Sequence, residues 1–591
     1  MIDRRTFLRH SALLGVAGVG APGWGAPWVH LRGERDHDLV LRGAVVFDGG
    51  GAAGVEADVA VDGDRITAVG EVAGRGATEL DLRGLALAPG FVDIHSHADL
   101  NLLIEPRAES RIRQGITTEV VGQDGSSILY SDDARRERNA EWLDRYGIPF
   151  DFDDIASFLD RVDRTTPAVN LASMVGHGTI RGAVVGYADR PATPSEIDRM
   201  RAAAREALAQ GAVGISAGLE YTPGAFATTA ELAALAGVLG GAPDDRPGAS
   251  RPSRSRFLFA AHMRNEDDRL LAAIEEVLTI GRTAGVPVHL SHLKAQGQRN
   301  WWKAEIALQM IDRAVADGID VTFDRYPYLA YATGLTSLFP AWSREGGTPR
   351  LFERLDDPAE GQRIREAVAA KVALLGAWDA VQITSAPATA WAVGARLGAL
   401  ARERRSDPFE LVVRLLRENR GGVGMVGFGM SEENTARFLA HPRAIVASDG
   451  GAYAPYGPLS TTSPHPRGYG TFPRVLGHHV RERGDLGLAE AIGKMTSAPW
   501  RRAIEPQAGD RAVEGAAATR GVVRPGAFAD LVALDPATVA DRATFDDPHR
   551  YPVGIPHVVV NGVLTLRDGE QTGERGGRAI RGAAARGRRE A

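Results

Sequence analysis

Two histidines two residues apart, His95 and His97, close the stretch "APGFVDIHSHADL" (Ala88–Leu100) directly after the apolar residues Phe91, Val92 and Ile94. Such a run reads as a short buried strand. Alternation along a strand points both imidazoles the same way, which suits a metal ion at the strand's end. The chain has no cysteine, so disulfides, thiolate catalysis and Cys-based zinc sites are excluded and any metal must be held by His, Asp or Glu. Further candidates end other apolar runs: Asp124 in "VVGQDGSS", His177 in "VGHGTIRG", Glu220 in "GISAGLEY", His262 in "FAAHMR", His292 in "VHLSHLK" and Asp449 in "IVASDGG".

Histidines with carboxylates predict one or two divalent ions, zinc first among them. A bound ion lowers the pKa of water to about 7 and polarises a carbonyl, which is the chemistry of amide hydrolysis. Asp449 is the candidate to move the proton from water to the leaving amine. Its alternative is a turn residue, which "SDGG" also fits. Glu220 and Asp124 compete for the place of a bridging ligand. His177, flanked by glycines, could meet a substrate carbonyl or serve a structural role. Lys294 and Arg264 each follow a candidate ligand by two, which aims both at the same space as candidates for a substrate carboxylate; Tyr326 in "DRYPY" could add a hydroxyl. His289 falls on the opposite strand face, and His478 and His479 in "LGHHV" read as an exposed helix without a role.

These residues need a scaffold that gathers positions hundreds of residues apart. Eight apolar runs ("GFVDIHSH", "ITTEVVG", "NLASMVGHG", "AVGISAGLE", "RFLFAAHMR", "PVHLSHLK", "DVTFDRYPY" and "AIVASDG") are mostly separated by helical patterns such as "TPSEIDRMRAAAREALAQG", "DDRLLAAIEEVLTIGRTAG" and "WKAEIALQMIDRAVADG". Repeated strand–helix alternation predicts an α/β fold, a (β/α)8 TIM-like barrel over residues 89–500 whose C-terminal strand ends share one rim. Alternating segments punctuated by Gly and Asp-Gly at 36–88 and 501–570 predict one small β-sandwich built from both chain ends. The stretch of about 329–443 is too long for a plain connection and predicts an insertion between strands 7 and 8, over the rim. "GGAPDDRPGASRPSRSR" reads as a Pro/Gly/Arg-rich loop, and the basic tail 571–591 as disordered.

A hydrophobic content of 44% with 24% charged residues fits a globular protein, and a net charge of −6 without a basic stripe argues against nucleic acid as a partner. "MIDRRTFLRHSALLGVAGVGAPGWGA" carries paired arginines, Arg4 and Arg5, before a weakly apolar Ala/Gly/Val run. Residues 1–30 therefore resemble a twin-arginine export signal, which predicts passage through that export machinery and a periplasmic or secreted protein. The run is too short and Gly-rich for a stable membrane anchor.

The ordered set "PGFVDIHSH", "GHGTIRG", "GISAGLEYTPG", "HMRNE", "SHLK", "DRYPY", "SDGG", "HPRGYGTFPRVLG", "KMTSAPW" and "RGVVRPGAFADLVALDP" resembles the N-acyl-D-amino-acid deacylases (D-aminoacylases) of the amidohydrolase superfamily, from about Asp38 to Leu566. The resemblance implies a metal-dependent barrel with a β-sandwich and an N-acyl-D-amino acid as substrate. It implies metal ligation by His95, His97, His262 and His292, a metal-bound catalytic Asp449, and Lys294 with Tyr326 on the substrate's carboxylate. One departure stands out. Where several members carry a cysteine ligand in "GNCG", this chain has "GQDG" with Asp124. Related hydrolysis of dipeptides or cyclic amides is the alternative, although cyclic-amide members use a fourth-strand lysine where this chain offers Glu220. A non-catalytic binding or assembly barrel is the alternative of another class, and the full histidine set argues against it.

Overall fold

The computed structural model describes residues 36–128, 140–141, 143–144, 146–240, 257–505 and 519–582. The export-signal segment, most of the Pro/Gly/Arg-rich loop and the last nine residues lie outside the described residues.

Each of the eight apolar runs contains a strand: Phe91–Asp93, Ile116–Val121, Asn170–Ser173 continued by Val175–Gly176, Gly214–Gly218, Leu258–His262, Val288–Leu290, Val321–Arg325 and Ala444–Val446. Consecutive members pair in parallel in chain order. The last returns to the first through a parallel bridge between Ser96 and Gly450 and the bond from Asp449 N–H to the His95 carbonyl, 2.8 Å. Both faces of these strands are buried, as the period of two requires. Val92, Val120, Ala172, Leu258, Ala260 and Ile445 pack in one enclosed cluster with Trp500. Their neighbours Phe91, Val121, Leu171, Phe259 and Val446 pack outward in the largest core, where the helices cover them.

The helices follow the sequence signals. Pro194–Ala209 starts with a capping box between Thr193 and Glu196 and has Pro at its first turn. Leu270–Ala284 stops at Gly285, whose φ of 66° is the left-handed conformation open to glycine. Residues 330–428 hold three antiparallel strands in the order Ala330–Gly334, Gly424–Phe428, Val381–Ser385, with helices that include Pro358–Leu375 and Pro408–Glu418. This insertion has its own apolar core around Leu335, Ile364, Val368, Ile383, Val412 and Leu415.

Strands from both chain ends join in one nine-stranded sheet, in which Ala86–Pro89 pairs antiparallel with Leu531–Leu534. Two expectations need correction. Residues 571–582 are ordered: Leu171 N–H donates to the Arg578 carbonyl at 3.0 Å, and Arg581 pairs with Asp160 and Asp163. Backbone pairing and ion pairs hold this segment, so its low apolar content was a poor guide. His479, expected on an exposed helix, is fully buried, because residues Val475–Glu482 wind as a π-helix and shift the buried face away from the ordinary 3.6-residue period. Among the described residues no helix is long and apolar enough to cross a membrane.

Candidate metal centre and active site

Six of the sequence-selected groups meet at the C-terminal ends of the parallel strands. Asp124 lies at the centre. Its carboxylate oxygens stand 3.4 Å from His95 Nε2, 3.5 Å from His97 Nε2, 3.8 Å from His262 Nδ1 and 3.6 Å from His292 Nε2. Asp449 Oδ1 stands 3.1 Å from His97 Nε2 and 3.6 Å from His95 Nε2. The facing nitrogens of His262 and His292 are 2.8 Å apart. Two ligands on one tetrahedral zinc at 2.0–2.1 Å stand about 3.3 Å from each other, so these spacings match donors arranged around shared ions. His95 Nε2 and Asp124 Oδ1 are buried and have no hydrogen-bond partner among the described residues. Buried polar atoms normally find partners; two orphans facing one space fit a cation there. His95, Asp124, His292 and Asp449 form one four-residue group able to hold an ion.

Backbone geometry aims the ligands. Asp124, His292 and Asp449 all have positive φ, at 53°, 38° and 51°. That conformation costs a non-glycine residue about 1–2 kcal/mol and recurs where a site must fix a side chain's direction. Gly218 lets the Asp124 loop approach the fourth strand: a Cβ there would lie 2.0 Å from the Asp124 carbonyl oxygen.

Carboxylates behind the histidines hold their rings. Asp324 contacts His95 Nδ1 at 3.2 Å and His289 Nε2 at 2.9 Å, and accepts from the His292 N–H at 2.9 Å. Glu266 accepts from Lys294 Nζ at 2.6 Å and faces His292 Nδ1 at 3.0 Å. Such partners fix which nitrogen carries the lone pair toward a metal. Burial opposes ionisation of Glu266, but Lys294, His292 and His262 hold its carboxyl down at about 2. Arg467 Nη1 donates to Asp449 Oδ2 at 2.6 Å. Burial works against Asp449's charge, and Arg467, His292 and His95 outweigh it, so its carboxyl sits well below the usual range.

Three expected roles change. Glu220 is turned toward Lys371 and the outer side of His262. One of its oxygens takes Lys371 Nζ at 3.1 Å and the other stands 3.3 Å from His262 Nε2, the nitrogen turned away from Asp124. His177 opens the helix His177–Val184 instead of facing the cluster, and its Nε2 stands 3.2 Å from Glu231, which also takes Arg181 Nε at 3.0 Å. Arg264 is turned to Glu276 with two contacts of 2.9 Å and to the carbonyls of Ala225 and Ala227. Side chain alternation alone could not tell a rim arginine facing the cup from one captured by the next helix. Lys294 does stay by the cluster and lines the cavity with Asp124, His292 and Asp449, whereas Tyr326 is fully buried behind it, its ring centre 6.0 Å from Lys294 Nζ. The Tyr326 hydroxyl is buried with no hydrogen-bond partner among the described residues, and Arg467 lies 4.8 Å from its ring centre.

The space directly beside the cluster is small, about 20 Å³, and the insertion contributes Tyr331, Thr333, Ser337 and Lys371 to its lining. A more open cleft, lined by His97, Ser126, Gly178, Tyr187, Pro223 and Arg467 among others, meets it at Asp124 and Tyr221. This cleft, about 480 Å³, is the substrate-sized space that reaches the cluster.

A pH dependence follows. Burial disfavours charge on His97 and His262, yet Asp124 with Asp449 lifts His97 to about 9, and Glu266, Asp124 and Glu220 lift His262 to about 10. Groups raised above the unfolded value of about 6.5 stabilise the fold fully below pH 6.5, and that stabilisation is lost as pH rises through 9 to 10. Metal ligation needs the same imidazoles unprotonated. The chelator-treated protein is thus expected to lose thermal stability between pH 6.5 and 10, while the gain in melting midpoint on adding zinc grows over that window. Melting curves at stepped pH, with and without zinc, check this; a zinc effect that shrinks with pH would contradict it.

The amidohydrolase family matches residues 78–566 of the chain. The chain is 36% identical over 548 residues to the D-aminoacylase of Alcaligenes xylosoxydans xylosoxydans, covering 93% of this chain and 98% of that one. It is 36% identical over 547 residues to the N-acyl-D-aspartate deacylase of the same organism, covering 92% and 95%. Among solved structures it is similar to N-acyl-D-glutamate deacylase from Bordetella bronchiseptica, complexed with zinc and a phosphonate inhibitor that mimics the tetrahedral reaction intermediate: TM-score 0.74, 33% identity, 93% of this chain and 100% of that one.

Proposed function

The chain belongs to the amidohydrolase family, and from that premise we propose that it hydrolyses the amide bond of N-acyl-D-amino acids, using zinc at the His/Asp cluster. The observation that carries the reading is the convergence of His95, His97, His262 and His292 on the Asp124 carboxylate at ligand-to-ligand spacing, with Asp449 3.1 Å from His97. The eight parallel strands are read as a closed (β/α)8 barrel with the cluster at its C-terminal mouth, the terminal sheet as a sandwich, and residues about 329–443 as the insertion that roofs the site.

His95, His97 and Asp449 would hold one ion and His262 with His292 another, with Asp124 between them. A divalent ion there supplies a Lewis acid for the amide carbonyl and makes water acidic enough to attack at neutral pH. The remaining work falls to side chains. Asp449 accepts the proton of the attacking water and returns it to the amide nitrogen, so that the C–N bond breaks to a carboxylate and a free amine. Arg467 keeps Asp449 ionised and fixed. Lys294, with Tyr326 behind it, is assigned to the substrate's carboxylate, which sets the scissile bond over the cluster.

Amine release from matched N-acetyl-D- and N-acetyl-L-amino acids, with metal analysis of the same preparation, tests this. Release from the D-series by a zinc-containing protein is expected. Activity confined to dipeptides, or a metal-replete protein inert on the whole panel, would overturn it.

The Arg4-Arg5 pattern supports export through the twin-arginine route to the periplasm or beyond. Replacing both arginines by lysine is expected to retain the activity in the cytoplasmic fraction; unchanged export would exclude that route.

A further inference from the structure

The two histidines of "LGHHV" share no residue with the catalytic cluster, and the reaction does not use them. His478 and His479 lie on the π-helical segment Val475–Glu482, a geometry that recurs at functional positions. Their rings are 5.1 Å apart between centres. Glu432, in the first turn of the helix Glu432–Ala440, faces them: its Oε1 stands 3.0 Å from His478 Nε2. One donor atom from each of Glu432, His478 and His479 falls within 4.8 Å of the other two.

His479 supplies the second, independent observation. Its side chain is 0% exposed, its Nδ1 stands 2.7 Å from Asp485 Oδ2, and its Nε2 is buried with no hydrogen-bond partner among the described residues. Asp485 is itself held by Arg483 Nε at 2.8 Å. A carboxylate on one ring nitrogen, with the opposite lone pair unpartnered, is the usual setting of a metal-ligating histidine. His478 and Glu432 are about a quarter exposed, so an ion can enter from solvent.

We propose that Glu432, His478 and His479 form a second metal site, separate from the catalytic one, that takes a divalent ion of the zinc class. Two imidazoles and a carboxylate suit zinc, nickel, cobalt or copper over magnesium and calcium, which favour oxygen donors. The ion replaces the Glu432–His478 hydrogen bond and satisfies the buried His479 nitrogen. It ties the helix that leads out of the insertion to the segment that follows the eighth strand, and so stabilises the junction between the insertion and the parallel-strand core.

The test uses the holoenzyme exposed to excess zinc, desalted, and assayed for zinc content, melting midpoint and turnover. Wild type is expected to retain one zinc more than Glu432→Gln/His478→Gln, and to gain several degrees in melting midpoint on zinc addition that this variant does not gain. Turnover stays at the wild-type level in the variant, which shows that the catalytic ions are still in place. His479→Gln is expected to lose the same ion; because its ring is buried, the partly exposed pair decides if that variant does not fold. Equal zinc content and equal melting shifts in wild type and the double variant would overturn the proposal. A zinc-edge anomalous peak between Glu432 and the two histidines would place the ion.

Discussion

Asp449→Asn is expected to retain its metal and lose about a thousandfold in kcat, within the range for removal of a general acid–base group. Asparagine keeps the shape and one oxygen donor, so the contact toward His97 at 3.1 Å and the bond from Arg467 at 2.6 Å have an oxygen to meet only if the amide presents it to one of them. What it cannot do is take a proton from water and deliver it to nitrogen. The effect should appear in kcat with KM nearly unchanged, because Lys294 and Tyr326 are untouched. Metal content measured on the assayed sample separates loss of the proton path from loss of the ion. Near-normal turnover in a metal-replete Asp449→Asn protein would refute the shuttle assignment.

The positions of the eight parallel strands and of the histidines at their ends were legible because each rests on a local pattern. Apolar runs of strand length ended in polar groups, and helix caps such as Thr193 with Glu196 stood beside periodic segments. The supporting carboxylates were not legible. Asp324 contacts His95 across 229 residues, and Glu266 is placed by a loop whose path no periodicity encodes. Arg467 and Lys371 were missed for the same reason: their partners, Asp449 and Glu220, are chosen by how the insertion and the eighth-strand loop fold over the rim. The Glu220-or-Asp124 ambiguity was real at the level of sequence, since both carboxylates end strands. The left-handed backbone at Asp124 and the missing Cβ of Gly218, which bring the Asp124 loop close to the fourth strand, have no signature in the sequence.

Asp124 carries the second large expectation, because it stands where several family members place a cysteine. Four imidazoles surround its carboxylate within 3.8 Å. Burial alone would make that carboxyl harder to ionise, but His95 and His292 reverse the effect and hold it well below the usual range. Asp124→Ala removes both a donor oxygen and the negative charge that offsets a cation among imidazoles. Affinity for at least one ion is expected to fall by a hundredfold or more, with activity lost at trace metal and partly recovered at high added zinc. Asp124→Cys makes the opposite case. A thiolate restores a charged, softer donor that zinc accepts at about 2.3 Å, and metals that prefer oxygen gain nothing from it. The cysteine variant should therefore hold zinc at least as tightly as wild type while its relative affinity for manganese declines. Competition dialysis of the three proteins against a zinc and manganese mixture reads this directly. If Asp124→Ala keeps wild-type zinc affinity, the ions are held by the histidines and Asp449 alone, and the aspartate's central place reflects charge balance among the rings instead of ligation.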